Sequence, residues 1–443
     1  MLVFSGLAVA VMMGVLLLVL IFSGFYLFAA LGGVALIAGL TFWGSDVFQM
    51  IFFSIFKYTK DYGLLAVPLF VLMGQLLNQS GVAGRLFDNL SLALGRQRGG
   101  MAIAATLIAI LFAATTGIVG ASVVSMGLLF TKPMLDAKYN KSLTSGVIIS
   151  GGTLGILIPP SIMLVFMGSA ANVSVGRLFY GAMTPGLLLG VFYILYIKIV
   201  ANIKKDWAPP LPEEELNKHT KWEIAKGCIV NVVPVTVVIF SVLGAIWLGW
   251  CPATEAAACG VVASFIIALC YRSLNWQVIK NTLIESIKLT SMVYAVSAFG
   301  NLFVTVFMRL GCSTAVTDLF VGLPIGKWGI FALMMAVVFV LGFLMDWIAV
   351  CMIVIPIFVP IATALGFDAT WFLTMMAVLM QTAFLSPPMA ASIFYFKGVV
   401  KDDISTSEII RGIWPYIGVQ LLVFMLCVFF PDIINWLPNR LVG

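Results

Sequence analysis

A chain of 443 residues with 62% hydrophobic and 9% charged side chains is excluded from the water-soluble proteins, because soluble domains carry roughly a quarter charged residues. The mean hydropathy of +1.13 agrees, and the unit to count is the membrane span of about 20 residues. The net charge of +6 is no sign of nucleic-acid binding, since Lys and Arg lie in loops between apolar runs.

The first basic residue is Lys57. A secretory signal would begin with a basic region and end at a small-residue cleavage site, so Met1–Phe25 is read as a retained span. Apolar runs at about 2–22 and 26–43 predict plain spans. Residues 46–61 (DVFQMIFFSIFKYTKD) mix aromatics with charge and predict an interfacial segment. A third span at 63–79 precedes an amphipathic arm at 81–99. Residues 101–135 exceed one span and contain TTGIVGAS at 115–122, whose glycines weaken a helix. The expected form is a re-entrant hairpin with its tip near Gly117; the competing form is one tilted, kinked span.

The next segment, 141–172, contains GILIPPSIM at 155–163. Two consecutive prolines break a helix, because proline lacks an N–H and clashes with the preceding turn. A span at 178–202 follows, and the hydrophilic stretch 203–226 reads as a linker, with the sole histidine, His219, inside it. The order then repeats: spans at about 227–249, 253–271 and 289–308, an arm at 311–323, an over-long run at 327–364 carrying GFLMDW at 342–347, a segment at 368–397 broken by AFLSPPMAA at 383–391, and a last span at 407–430. Gly117 pairs with Gly342 at an offset of 225, Pro159 with Pro387 at 228, and Pro185 with Pro415 at 230. This near-constant offset predicts a duplication, with repeats at 1–202 and 227–443 joined by 203–226.

Placing the first hairpin on the cytoplasmic side puts 18 of the 24 Lys and Arg inside and 6 outside, as the positive-inside rule requires. The second hairpin then enters from the opposite face. The expectation is an all-α membrane protein of two inverted-topology repeats, with ten crossings, two hairpins and both termini on the outer face.

Broken backbone in hydrocarbon is tolerated only where it is buried in protein or lines a cavity, and paired breaks in two halves point to a transporter's binding site. A break exposes N–H groups that attract anions and carbonyls that attract cations. The first candidate site combines Thr116, Gly117 and Ser122 with Gly155, Ile158 and Pro159, an oxygen shell suited to Na⁺. The second combines Gly342 and Asp346 with Thr382, Ser386, Pro387 and Met389. Ser161 and Ser386, beside Pro160 and Pro388, border the breaks within reach of a substrate oxygen. Hydroxyls bonding back to helix carbonyls compete with the ligand role for Thr116 and Ser122. For Asp346 the competitors are a helix cap and an interfacial charge; an acid inside the membrane is otherwise a functional candidate by default.

Catalysis is not expected. With one histidine there is no HExxH, Asp346 has no membrane-buried acidic partner, and no GxxxxGK[ST] loop for nucleotide occurs. Seven cysteines without a CxxC pair read as small hydrophobes. No cofactor is expected beyond Na⁺ as a coupling ion.

GTLGILIPPSI at 152–162, LFYGAMTPG at 178–186 and QTAFLSPPMAASIFYFKGV at 381–399 resemble the large membrane subunit of tripartite ATP-independent periplasmic (TRAP) transporters. PLFVLMGQLL at 68–77 and DWIAVCMIVIPIFVPIATALGFD at 346–368 extend the resemblance over nearly the whole chain. The TTGIVGAS stretch departs from the family's serine-rich motif, leaving open whether Thr115, Thr116 or Ser122 supplies the first-site hydroxyl. The resemblance implies an elevator fold, in which hairpins and broken spans slide against a scaffold. It implies Na⁺-coupled uptake of an organic anion across the bacterial inner membrane, a periplasmic binding protein, and a small four-helix membrane subunit. A stand-alone Na⁺-coupled anion symporter or antiporter is the alternative within transport. A non-transporting membrane scaffold would have no use for two breaks.

Overall fold

Among the described residues the apolar runs are built of helices, as hydrocarbon requires of a backbone that must satisfy its own polar groups. A computed structural model describes residues 5–117, 119–218, 220–387 and 390–441, without the side chains at 57–59, 116, 215 and 221. Among the described residues there is no strand.

The chain opens with α1 (Gly6–Phe22), α2 (Leu27–Trp43) and α3 (Val47–Thr59), the last two joined by a 3₁₀ turn. α4 (Ala66–Gln79) and α5 (Val82–Leu94) meet at Gly81; the segments Gly63–Gln79 and Val82–Leu94 are bent by 57°. α6 (Gly100–Thr116) and α7 (Val119–Asp136) form the first hairpin, and α8 (Lys141–Thr153) and α9 (Ile162–Ala171) the first broken helix. α10 (Val175–Ile203) leads to the linker with its short α11 (Glu213–Leu216).

The second half starts with α12 (Lys221–Ile239), which Thr220 and Glu223 begin as a reciprocal capping box. A π turn and α13 (Ala245–Trp247) extend it, and α14 (Ala253–Cys270) follows. α15 (Trp276–Arg309) is 34 residues long, well beyond the span expected at 289–308. α16 (Cys312–Val321), the hairpin α17 (Gly326–Leu344) and α18 (Trp347–Ala364), and the broken helix α19 (Ala369–Leu385) and α20 (Ala391–Val400) come next. α21 (Thr406–Phe429) and the amphipathic α22 (Asp432–Leu441) end the chain.

Among the described residues eight segments are long and apolar enough to cross a membrane, and the bent pair counts as a ninth. α1, α9, α19 and α20 are apolar but shorter. Lipid is as apolar as a leucine side chain, so close packing rather than water exclusion holds such helices together. α8 packs on α21 as α19 packs on α10; α20 packs on α7 as α9 packs on α18; α5 packs on α12 as α16 packs on α1. The second half-helix of each broken segment therefore rests on the hairpin of the other half.

Candidate functional site

The first break begins where α8 gives way to a 3₁₀ turn at Leu154–Ile156. Ser161 is extended, α9 starts after it, and the Pro159–Pro160 peptide bond is cis. The Ser161 hydroxyl donates to the Ile156 carbonyl at 2.5 Å. This side chain spans the break and satisfies a carbonyl with no helical partner. Gly155, Ile158, Pro159, Pro160 and Ser161 are all buried.

The second break follows the same logic with a different serine. The Ser392 hydroxyl, on the first turn of α20, donates to the Phe384 carbonyl in α19. Ser392 was not singled out from sequence. Its signal was present, as the first serine after the second proline pair, three residues further on than Ser161 after the first. Thr382 donates instead to Leu379 O at 2.6 Å and Ser386 to Thr382 O at 2.8 Å, the back-bonding pattern of hydroxyls in helices. Both hydroxyl oxygens keep acceptor capacity. Pro387 lies at the turn, while Pro388 and Met389 lie outside the described residues.

Each hairpin tip sits at the break of its own half. Gly117 ends α6 with φ +59°, a left-handed conformation that favours glycine. A Cβ there would come within 3.3 Å of the Ile162 backbone nitrogen, the start of α9. The Thr116 side chain lies outside the described part, and Ser122 is buried on the first turns of α7. In the second hairpin, a Cβ on Gly342 would meet Ala383 of α19 at 2.7 Å. Asp346 caps α18, its carboxylate accepting from the Ile348 N–H at 3.2 Å.

The two tips also meet each other. A cavity of about 110 Å³ is lined by Gly117, Gly120, Ile156 and Ile162 from the first half and by Asp346, Trp347, Phe384 and Tyr395 from the second. A neighbouring cavity of about 100 Å³ is lined by Gly342, Asp346, Met380, Ala383 and Ala391. Sequence reasoning drew two separate sites; Asp346 and Phe384 border both cavities. Asp346 is the one formal charge among the described lining residues of either. Both spaces are smaller than the about 300 Å³ of ordinary small-molecule pockets, and they suit an ion. Among the described residues no three His, Cys, Asp or Glu side chains cluster as metal ligands. A cavity of about 750 Å³ is apolar and lies apart, between α17, α19 and α21.

The cavity walls come from the exchanged half-helices. Tyr395 of α20 lies 3.1 Å from where a Cβ on Gly120 would stand, and Phe166 of α9 meets Trp347 edge-on at 5.8 Å. Behind the breaks runs a buried chain of amides: Gln381 donates to Thr153 O at 3.4 Å, and Gln420 to Tyr193 Oη at 2.9 Å and to Gln381 Oε1 at 3.5 Å. It joins α8, α19, α21 and α10, and two of its bonds link positions 228 and 227 residues apart, at the repeat offset. Gln381→Leu strips the Thr153 carbonyl and the Gln420 amide of one partner each. The expected cost is about 1–3 kcal/mol, read as a lowered melting temperature of the purified chain in detergent.

The chain matches the family described as "DctM: Tripartite ATP-independent periplasmic transporter, DctM component" over residues 1–433. It is 32% identical over 399 residues to the C4-dicarboxylate TRAP transporter large permease protein DctM of Pseudomonas aeruginosa, covering 89% of this chain and 91% of that protein. It is 28% identical over 397 residues to the sialic acid TRAP transporter permease protein SiaT of Haemophilus influenzae, covering 87% of this chain and 61% of that longer protein. Among solved structures it resembles the YdaH transporter of Alcanivorax borkumensis, with a TM-score of 0.61, 13% identity, and coverage of 96% of this chain and 99% of that one. That likeness is one of fold.

Proposed function

The chain belongs to the DctM component family of tripartite ATP-independent periplasmic transporters, and we propose that it is the large permease subunit of a Na⁺-coupled importer of an organic anion, most simply a carboxylate. It is a multi-pass membrane protein and a transporter component.

The observation that carries the reading is the meeting of both hairpin tips and both helix breaks around Asp346. Gly117, Gly155, Ile158 and Pro159, with Thr116 or Ser122, supply the first Na⁺ site. Gly342, Asp346, Thr382, Ser386, Pro387 and Met389 supply the second. Ser161 and Ser386, beside Pro160 and Pro388, face the anion. The carboxylate class is supported by relatives named for C4-dicarboxylates and for sialic acid. Two inverted repeats are supported by the paired packing of the halves. Hairpins and broken helices form the mobile part of an elevator, the long α15 belongs to its scaffold, and α5 and α16 are the levers. A periplasmic binding protein delivers the anion, and a small four-helix subunit joins the scaffold. The chain sits in the inner membrane with both termini periplasmic.

The test is uptake of a panel of labelled organic acids into proteoliposomes holding this chain and its small subunit. Na⁺ gradient and binding protein are each supplied or withheld. Uptake that needs both is expected. Uptake that needs Na⁺ but no binding protein would replace the reading with a stand-alone symporter, and uptake indifferent to Na⁺ would remove the coupling.

A further inference from the structure

The proposed site leaves unused a basic cavity at the other end of α8. It measures about 200 Å³ and lies between the start of α8, the end of α10 and the start of α21. Ser142, Tyr196, Lys204, Trp207 and Arg411 line it, and no acid does among its described lining residues.

Neither Lys204 nor Arg411 has a carboxylate within 4 Å among the described residues. Among the described residues the ion pair within 4 Å is Lys288–Glu285, far along the chain. Glu408, one turn before Arg411, accepts with its carboxylate from the Ser405 N–H at 2.9 Å and the Ser405 hydroxyl at 2.8 Å, and it feels the charges of Arg411 and Lys141 without an ion pair within 4 Å to either. Lys204 Nζ sits 3.7 Å from the centroid of the Trp207 ring, so its charge is placed rather than free. The wall is tied down as well, since Asn140 N donates to Trp207 O at 2.8 Å. Two cations lining a cavity of this size, with no carboxylate among its described lining residues, suit an anion with several acceptor oxygens.

Ile203, 74% exposed, precedes Lys204, and Trp414, 60% exposed, lies about one helical turn after Arg411. Exposed apolar surface beside such cations is what an acyl chain and its headgroup present to a protein in reverse, and Trp and Tyr at such a level mark the membrane–water interface. We propose that this cavity binds the phosphate group of an anionic phospholipid headgroup. The bound lipid would fasten the first turn of the linker to the broken helix and to α21. The assignment rests on charge and shape at this end of the bundle and does not depend on what the chain transports.

The test places the full chain in nanodiscs of phosphatidylcholine, with or without phosphatidylglycerol, and reads retained lipid by native mass spectrometry and melting temperature by thermal unfolding. Wild type is expected to retain phosphatidylglycerol and to melt higher with it. At about fivefold per basic residue near a membrane surface, Lys204→Gln with Arg411→Gln should weaken retention roughly thirtyfold. Arg411→Lys, which keeps the charge, should largely keep retention, and Arg411→Gln alone serves if the double variant does not fold. Inorganic phosphate added to phosphatidylcholine discs should not reproduce the shift. Equal retention by wild type and Gln variants, no response of wild type to phosphatidylglycerol, or an equal shift with inorganic phosphate would each overturn the proposal.

Discussion

Asp346→Asn is expected to leave the chain folded and to cut Na⁺-driven uptake by about ten- to a hundredfold. Asparagine caps a helix about as well as aspartate, so the Ile348 N–H keeps its partner and α18 keeps its start. What disappears is the one formal charge among the described residues around the two cavities. A contact between an ion and a charged side chain in a dry site is worth about 1.5–3 kcal/mol, which is the tenfold to hundredfold stated. The half-saturating Na⁺ concentration should rise with the loss of rate. Asp346→Ala removes cap and charge together and should also lower stability by about 1 kcal/mol. Unchanged Na⁺ dependence in Asp346→Asn at normal expression would reduce the residue to a cap.

A second large effect lies at the crossing of α8 and α21. A Cβ on Gly412 would fall on the Ser142 carbonyl oxygen, and one on Gly146 on the Gly412 carbonyl oxygen and 2.8 Å from the Tyr416 ring. The obstacles are mostly backbone and cannot rotate away. Gly412→Ala is therefore expected to destabilise by about 3 kcal/mol or more, at the upper end of overpacking costs. Gly418, six residues on in the same helix, is exposed with nothing within 4 Å of a Cβ. Gly418→Ala should be neutral or stabilising by about 0.5–1 kcal/mol, since alanine loses less backbone freedom in a helix. Yield and melting temperature in detergent compare the two, and equal behaviour would mean that the helices do not approach so closely.

Helix positions were legible because apolar length and proline pairs act locally. The 3₁₀ turn and extended residues after Thr153 fall where Pro159–Pro160 forbids a helix, and Gly117 takes the left-handed turn that its place between two apolar runs suggested. The extra length of α15 was hidden by Lys280, Glu285 and Lys288, whose charges read as loop although α-helical geometry carries them on an exposed face. The chain Gln381–Gln420–Tyr193 was passed over although Tyr193 and Gln420 are 227 positions apart, close to the repeat offset, because single polar residues inside apolar spans do not by themselves show which of them face each other. Ser392 was passed over because it stands four residues beyond the second proline pair, whereas Ser161 stands directly after the first. Treating the two sites as separate had a similar origin. Spacing pairs each tip with its own break, while the exchange of α9 and α20 between halves, which brings the tips to one cavity, is a property of the folded chain.

The central claim is that this convergence binds Na⁺, and the most direct measurement is the melting temperature of the purified chain in Na⁺ and in K⁺ at equal ionic strength. A ligand that binds only the folded state stabilises it by about 2.7 kcal/mol at a hundred times its dissociation constant. The account predicts a higher melting temperature in Na⁺, saturating with concentration, and largely lost in Asp346→Asn. Identical melting in the two salts, or a Na⁺ effect untouched by Asp346→Asn, would contradict it.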